Sequence, residues 1–235
     1  RIGADFYAVM NDIREKFNAN PVPIALPIGM ESEYEGNIDL IIMKEQHWDL
    51  DPKGTEIRYS AIREELKPLA DKWRDALLEN LSEFSDEITN LYLEGEDIGE
   101  ELIHETLRKA TISRNITPVL VGSSLKNKGV QPILDSIIAY LPSPEELPAI
   151  PAIHGKKEEN VELVRNAGET LSALIFKIQH DREMGMLCYL RVYSGVLKSG
   201  TAVLNVNDRK RERVNRLLRM HANHHEQISE RQAGD

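Results

Sequence analysis

A single cysteine, Cys188, excludes an internal disulfide; its place within Met186-Leu187-Cys188-Tyr189-Leu190 predicts a half-buried strand position. No run approaches the roughly 18 apolar residues of a membrane-spanning helix. The first residues carry no basic-then-apolar secretion signal. His221, His224 and His225 stand close together without the Cys or carboxylate partners of a tetrahedral zinc site, so no metal site is expected. No Gly-x-x-x-x-Gly-Lys-[Ser/Thr] phosphate loop occurs; the nearest approach, Gly122 to Gly129, lacks the Lys and hydroxyl residue that should follow. Such a loop needs clustered amides, a Lys for the β- and γ-phosphates and a hydroxyl for Mg²⁺. No catalytic residue is therefore assigned, and these 235 residues alone are not expected to hydrolyse a nucleoside triphosphate.

What the chain does contain suits two folding units, since 235 residues exceed the usual single domain and 41% are hydrophobic. The net charge of −10 argues at first against a nucleic-acid partner. Its distribution argues otherwise: residues 181–235 hold ten Lys/Arg against seven Asp/Glu, a net of +3, which leaves −13 for residues 1–180. The basic part centres on Arg209, Lys210, Arg211, Arg213, Arg216 and Arg219, a candidate RNA-facing patch that would neutralise phosphates without reading sequence. The plainer reading is a solvated strand edge whose cations oppose aggregation.

Hydrophobic periodicity organises the chain. Phe6, Val9, Met10, Ile13 and Phe17 predict a helix over residues 1–18, and residues 21–28 and 37–43 read as strands around Gly36-Asn37. Ile62, Leu66, Leu69, Trp73, Leu77 and Leu81 form a helical stripe, with Trp73 expected in the core; residues 96–110 predict a further helix. The acidic residues around these helices, from Glu83 to Glu101, read as a solvated face. After them come the strand-length run Ile116–Val121, a turn, and a helix carrying Val130, Ile133, Leu134, Ile137, Ile138 and Leu141. Pro142, Pro144, Pro148 and Pro151, the polar run Lys156-Lys157-Glu158-Glu159-Asn160 and Gly168 mark a linker, assigned to residues 146–170. Residues 171–178, 186–193, 202–204 and 214–218 then read as short strands between glycine turns, the pattern of a small barrel.

The turn between strand and helix, Gly122-Ser123-Ser124-Leu125-Lys126-Asn127-Lys128-Gly129-Val130, lies where open α/β sheets bind ligands, and Gly122 is expected to turn the chain sharply. With Gln131 and the following Tyr140-Leu141-Pro142-Ser143-Pro144, these words closely resemble the last guanine-binding motif of elongation factor G. Arg1-Ile2-Gly3-Ala4-Asp5-Phe6, Asn20-Pro21-Val22-Pro23, Arg191-Val192-Tyr193-Ser194-Gly195, Met220-His221-Ala222-Asn223 and Gln232-Ala233-Gly234-Asp235 resemble other segments of that family. The resemblance implies that Ser123, Ser124 and Leu125 close over a guanine base, a backbone amide donating to O6. Because a backbone group is the donor, Ser124 can replace the family's usual Ala.

The fold implied is α/β: the C-terminal part of a P-loop GTPase-type doubly wound sheet (residues 1–20 and 114–145) with an inserted α+β subdomain (residues 21–113). A partial second-domain β-barrel follows at residues 171–235. An internal fragment of a cytoplasmic, monomeric translation factor is expected, whose intact parent would use GTP and Mg²⁺ on the ribosome to drive translocation. No nucleotide is expected to bind tightly to the fragment. By the same resemblance the second domain would face small-subunit ribosomal RNA, and the insert would meet the large-subunit stalk protein. Asp181-Arg182-Glu183-Met184-Gly185 departs from the translocase pattern, and together with Arg14-Glu15-Lys16-Phe17 leaves a paralogous ribosome-recycling factor open. A non-catalytic ribosome- or RNA-binding module is the other alternative.

Overall fold

Asp5 begins the first helix, α1 (Phe6–Phe17), by accepting hydrogen bonds from the Tyr7 and Ala8 amides, and left-handed Asn18 ends it. In this computed structural model, residues 2–50, 53–155, 159–221 and 224–235 are described; Arg1, Lys156-Lys157-Glu158 and Ala222-Asn223, quoted above, lie outside them. The architecture is mixed α/β and divides into two units, Arg1–Leu141 and Pro142–Asp235.

In the first unit the stretch 21–28 is shared between two sheets. Strand β1 (Pro21–Pro23) lies parallel to β6 (Thr117–Val119). At Ile24 the chain crosses over, its amide donating to the Val119 carbonyl while its own carbonyl accepts from Leu40. Strand β2 (Ala25–Ile28) then joins β3 (Gly36–Asp39), β4 (Lys44–His47) and β5 (Arg58–Ala61) in an antiparallel sheet of order β2-β3-β4-β5. The expected 37–43 strand stops at Asp39, because the Asp39 carboxylate accepts from the Ile41 and Ile42 amides at 2.8 and 3.1 Å and folds the chain into a turn. Polar β4 was not predicted, yet Glu45, Gln46 and His47 are buried.

The helical stripe forms α2 (Lys67–Ser82), with Pro68 in its first turn; Ile62 and Leu66 precede the helix. Trp73 is partly buried against the core, its ring stacked on Tyr7 at 5.9 Å. An unpredicted helix follows, α3 (Asp86–Glu94), then α4 (Glu100–Ile112) and α5 (Val130–Tyr140). Leu26, Ile38, Leu40, Leu81, Ile88, Ile103 and Leu107 are fully buried together, each contributing roughly 2 kcal/mol by leaving water.

The second unit is built of strands. Part of the expected linker pairs as β7 (Ile150–Ile153) with β8 (Asn160–Leu163). A long hairpin, β9 (Ser172–Asp181) with β10 (Gly185–Ser194), follows. Strand β11 (Val196–Lys198) pairs with β16 (Glu230–Gln232), β12 (Ala202–Asn205) with β13 (Lys210–Arg213), and β14 (Leu217–His221) with β15 (His224–Ile228). The expected strand at 214–218 is displaced: Val214 instead exchanges backbone hydrogen bonds with Gly200 and Thr201 between β13 and β14. Val192, Leu197 and Leu217 centre a small core. Cys188 is exposed, not half-buried: it lies in a two-stranded β9–β10 sheet that no third strand joins among the described residues.

Candidate functional site

Strand β6 delivers the chain into the turn that the sequence singled out. The Ser123 amide donates to the Lys128 carbonyl at 2.8 Å and the Lys128 amide to the Ser123 carbonyl at 3.1 Å, closing a short loop. Inside it Ser124–Lys126 make one 3-10 turn, and Asn127 is left-handed at φ 50°. The Lys126 and Asn127 amides are satisfied within the loop by the Ser123 and Ser124 carbonyls. Those of Ser124 and Leu125 have no acceptor among the described residues, and Leu125 is 96% exposed. A free pair of adjacent N–H groups is ready to donate to a ligand's carbonyl.

Beside the loop lies an open cavity of about 390 Å³, walled by Gly122, Ser123, Ser124 and Lys128 and by Ile133 and Leu134 of α5. Apolar walls with a few convergent polar groups suit a flat ring. Gly129 is left-handed at φ +78°, and a Cβ there would lie 2.6 Å from the Val121 carbonyl oxygen and 2.9 Å from the Gly122 Cα. Gly122 is not left-handed; a glycine is needed there because a Cβ would stand 2.8 Å from the Lys128 carbonyl oxygen.

Sequence reasoning missed what holds this loop from outside. The Asn127 side-chain amide donates to the Lys53 and Gly54 carbonyls at 2.7 and 3.3 Å. Gln131 donates to the Gly54 and Thr55 carbonyls at 2.8 and 3.3 Å and accepts from the Trp48 indole at 3.0 Å. Asn37 of β3 donates to the Val121 carbonyl at 2.8 Å and accepts from the Tyr34 hydroxyl at 2.8 Å. Burial pushes Tyr34 up to about 12, against the lowering effect of its bond to Asn37. Asn127 and Gln131 stood within the recognised words, but nothing in spacing shows which carbonyls, some 75 residues away, they would reach.

The basic residues do not form one patch. Opposite each other in the β12–β13 ladder stand Leu204 with Arg211 and Ala202 with Arg213, which puts Arg211 and Arg213 on one face. Lys210 and Glu212 take the other face, and Arg209 is in the preceding turn at φ 54°. Arg216 lies between β13 and β14. All five of these cations are exposed and without an ion pair among the described residues. Arg219 differs: it faces Glu226 across β14–β15, with nitrogen and oxygen 3.6 Å apart.

The histidines lie elsewhere in this unit. His224 and His225 share an open cavity of about 560 Å³ with His180 and Asp181. The Met184 and Glu183 amides hold the Asp181 carboxyl below the usual range, aided by His225 and His180. Among the described residues, no three His, Cys, Asp or Glu side chains group as metal ligands.

Residues 170–235 match the family described as Elongation factor G domain 2. Over all 235 residues the chain is 48% identical to Elongation factor G 1 of Treponema denticola and 44% identical to Elongation factor G 2 of Treponema pallidum. It covers 34% of each, so the chain spans about a third of the length of these curated relatives. A crystal structure of a Thermus thermophilus protein, 27% identical, matches 99% of this chain and 31% of its own with a TM-score of 0.69.

Proposed function

The chain is elongation factor G-like along its whole length, and from that premise we propose that it forms part of a ribosomal GTPase that drives movement of tRNAs and messenger RNA. Residues 1–20 and 114–145 belong to a doubly wound GTP-binding domain, residues 21–113 to its insert and residues 171–235 to a second-domain barrel, joined by residues 146–170. Ser123, Ser124 and Leu125 cap the guanine of GTP or GDP, while the groups that hold phosphates and Mg²⁺ lie outside these 235 residues. The protein works in the cytoplasm as a monomer. Its insert meets the ribosomal stalk, and its basic second-unit face meets ribosomal RNA.

One observation carries this reading: among the described residues, two adjacent amides, Ser124 and Leu125, lack acceptors beside a cavity with apolar walls. A purine carbonyl supplies the acceptor, and the cavity takes the ring. In the complete protein carrying this sequence, saturating GDP is expected to slow amide hydrogen exchange in the peptide containing Ser124 and Leu125. Unchanged exchange there would end the assignment.

A second reading, ribosome recycling instead of translocation, is favoured by the turn between β9 and β10. There Asp181 accepts from the Glu183 and Met184 amides at 2.9 Å each, and Arg182 and Glu183 are exposed in place of the Pro and apolar residue of the translocase pattern. Translocation and subunit-splitting assays on the complete protein separate the two.

A further inference from the structure

The loop of Ser123–Asn127 has little of its own to keep its shape. It closes on the two backbone bonds between Ser123 and Lys128 and one 3-10 turn, with a left-handed Asn127 as hinge. A side chain in that conformation is strained unless its surroundings fix it. Here they do so through a segment more than seventy residues earlier. Both hydrogens of the Asn127 amide are taken, by the Lys53 and Gly54 carbonyls. Gln131, in the first turn of α5, meets the same Gly54 carbonyl and that of Thr55.

Trp48 fixes which way Gln131 faces. An indole can only donate, so the Gln131 oxygen must point to Trp48 and its nitrogen to the carbonyls. Gly54 completes the fit: it is left-handed at φ +64°, and a Cβ would stand 2.7 Å from the Asn127 carbonyl oxygen. Three consecutive carbonyls of the β4–β5 connection thus converge on two side chains that flank the loop.

We propose that Asn127 and Gln131 are positioning residues that hold the guanine loop in its binding shape by anchoring it to residues 53–55, with Trp48 completing the anchor. This rests on the reading of Ser123, Ser124 and Leu125 as the base loop. Neither side chain touches the nucleotide in this scheme; both act through the backbone. By thermodynamic reciprocity, a bound base tightens the anchor as much as the anchor tightens the base. Base binding therefore changes the surroundings of the Trp48 indole.

The test uses the complete protein and GDP. Asn127→Gly keeps the left-handed conformation while removing the side-chain donor, and Gln131→Met keeps length while removing both polar groups. Each is expected to speed GDP release on the order of tenfold, the loss of hydrogen bonds worth about one decade of affinity. Trp48 gives a readout that a merely structural tie would not move. Trp48 and Trp73 are the two tryptophans in this sequence, so segmental labelling of these 235 residues with 5-fluorotryptophan gives two assignable ¹⁹F signals. The Trp48 signal, identified by its loss in Trp48→Phe, is expected to shift on adding GDP, and Gln131→Met is expected to abolish the shift. GDP release unchanged in both variants, or a Trp48 signal indifferent to GDP, overturns the anchor. Failure of GDP to protect the Ser124 and Leu125 amides in the unsubstituted protein overturns the base-loop reading instead.

Discussion

Glu45 is 2% exposed at the centre of β4, yet it is fully partnered. One oxygen faces the His47 ring at 2.8 Å, and the other accepts from the Arg63 amide at 2.8 Å and the Arg63 guanidinium at 3.1 Å. Burial pushes the Glu45 carboxyl up, but the Arg63 amide, His47 and the Arg63 side chain together bring it below its ordinary value. A carboxyl lowered on folding contributes stability that is present above its unfolded pKa and lost as pH falls through the lower folded one. Glu45→Gln should therefore cost about 3 kcal/mol at pH 7, at the low end for breaking a buried pair, since the Arg63 side chain is 40% exposed and keeps part of its hydration. The deficit should shrink as pH falls below about 4. Asp39 acts in the opposite sense, because burial raises it against the Ile42 and Ile41 amides, so the difference between variant and parent at each pH isolates Glu45. Urea unfolding across that pH range measures it, and equal midpoints at pH 7 would refute the role. None of this was legible in the sequence. Lys44-Glu45-Gln46-His47 shows no apolar alternation to mark a strand, and Arg63, Asp39 and the sheet around it make those polar groups tolerable inside.

Elements were legible where apolar residues recur periodically and hidden where caps decide. Helices α1, α2, α4 and α5 each place apolar residues three and four apart along one face, so their existence followed from spacing alone. Helix α3 packs only Ile88 and Leu91 into the core, too few to show a period among its acidic neighbours. Its ends define it. Ser85 accepts from the Ile88 amide at 3.3 Å, and left-handed Gly95 donates back to Tyr92 while Glu96 donates to Leu91. Both residues stood in the sequence as readable signals, masked by the charge run. Gly95 sits at φ +73° with no atom within 4 Å of an added Cβ, so Gly95→Ala meets no steric obstacle and only the cost of that conformation, about 1 kcal/mol. Faster amide exchange confined to residues 86–94 is the expected signature; a loss spread over the whole first unit would mean α3 is not a separately capped element.

At the scale of the whole chain, length alone announced two units, and the divide falls at Leu141/Pro142, where α5 ends and the proline-rich stretch begins. The run of short strands was legible from the glycine turns between them. Which strands pair with which, such as β11 with β16 some thirty residues on, was not, because pairing over that distance leaves no local mark. Charge was legible as a total and not as an arrangement. The six cations read as one patch separate into Arg211 and Arg213 on one face of β13, Lys210 on the other, and Arg219 opposite Glu226. Only cations free of a partner can displace counterions from a phosphate backbone without first giving up a carboxylate. Each phosphate neutralised contributes about 0.7 to 0.9 to the slope of log affinity against log salt concentration. If the Arg211 face is what meets ribosomal RNA, then Arg211→Ala with Arg213→Ala in the complete protein should weaken ribosome binding and lower that slope by about 1.5. Arg219→Ala should lower it by much less, since Glu226 already answers that charge. A salt titration of ribosome binding distinguishes the cases: equal slopes for the double variant and the parent would place the RNA contact elsewhere in the protein and leave the β13 cations as protection for an exposed strand.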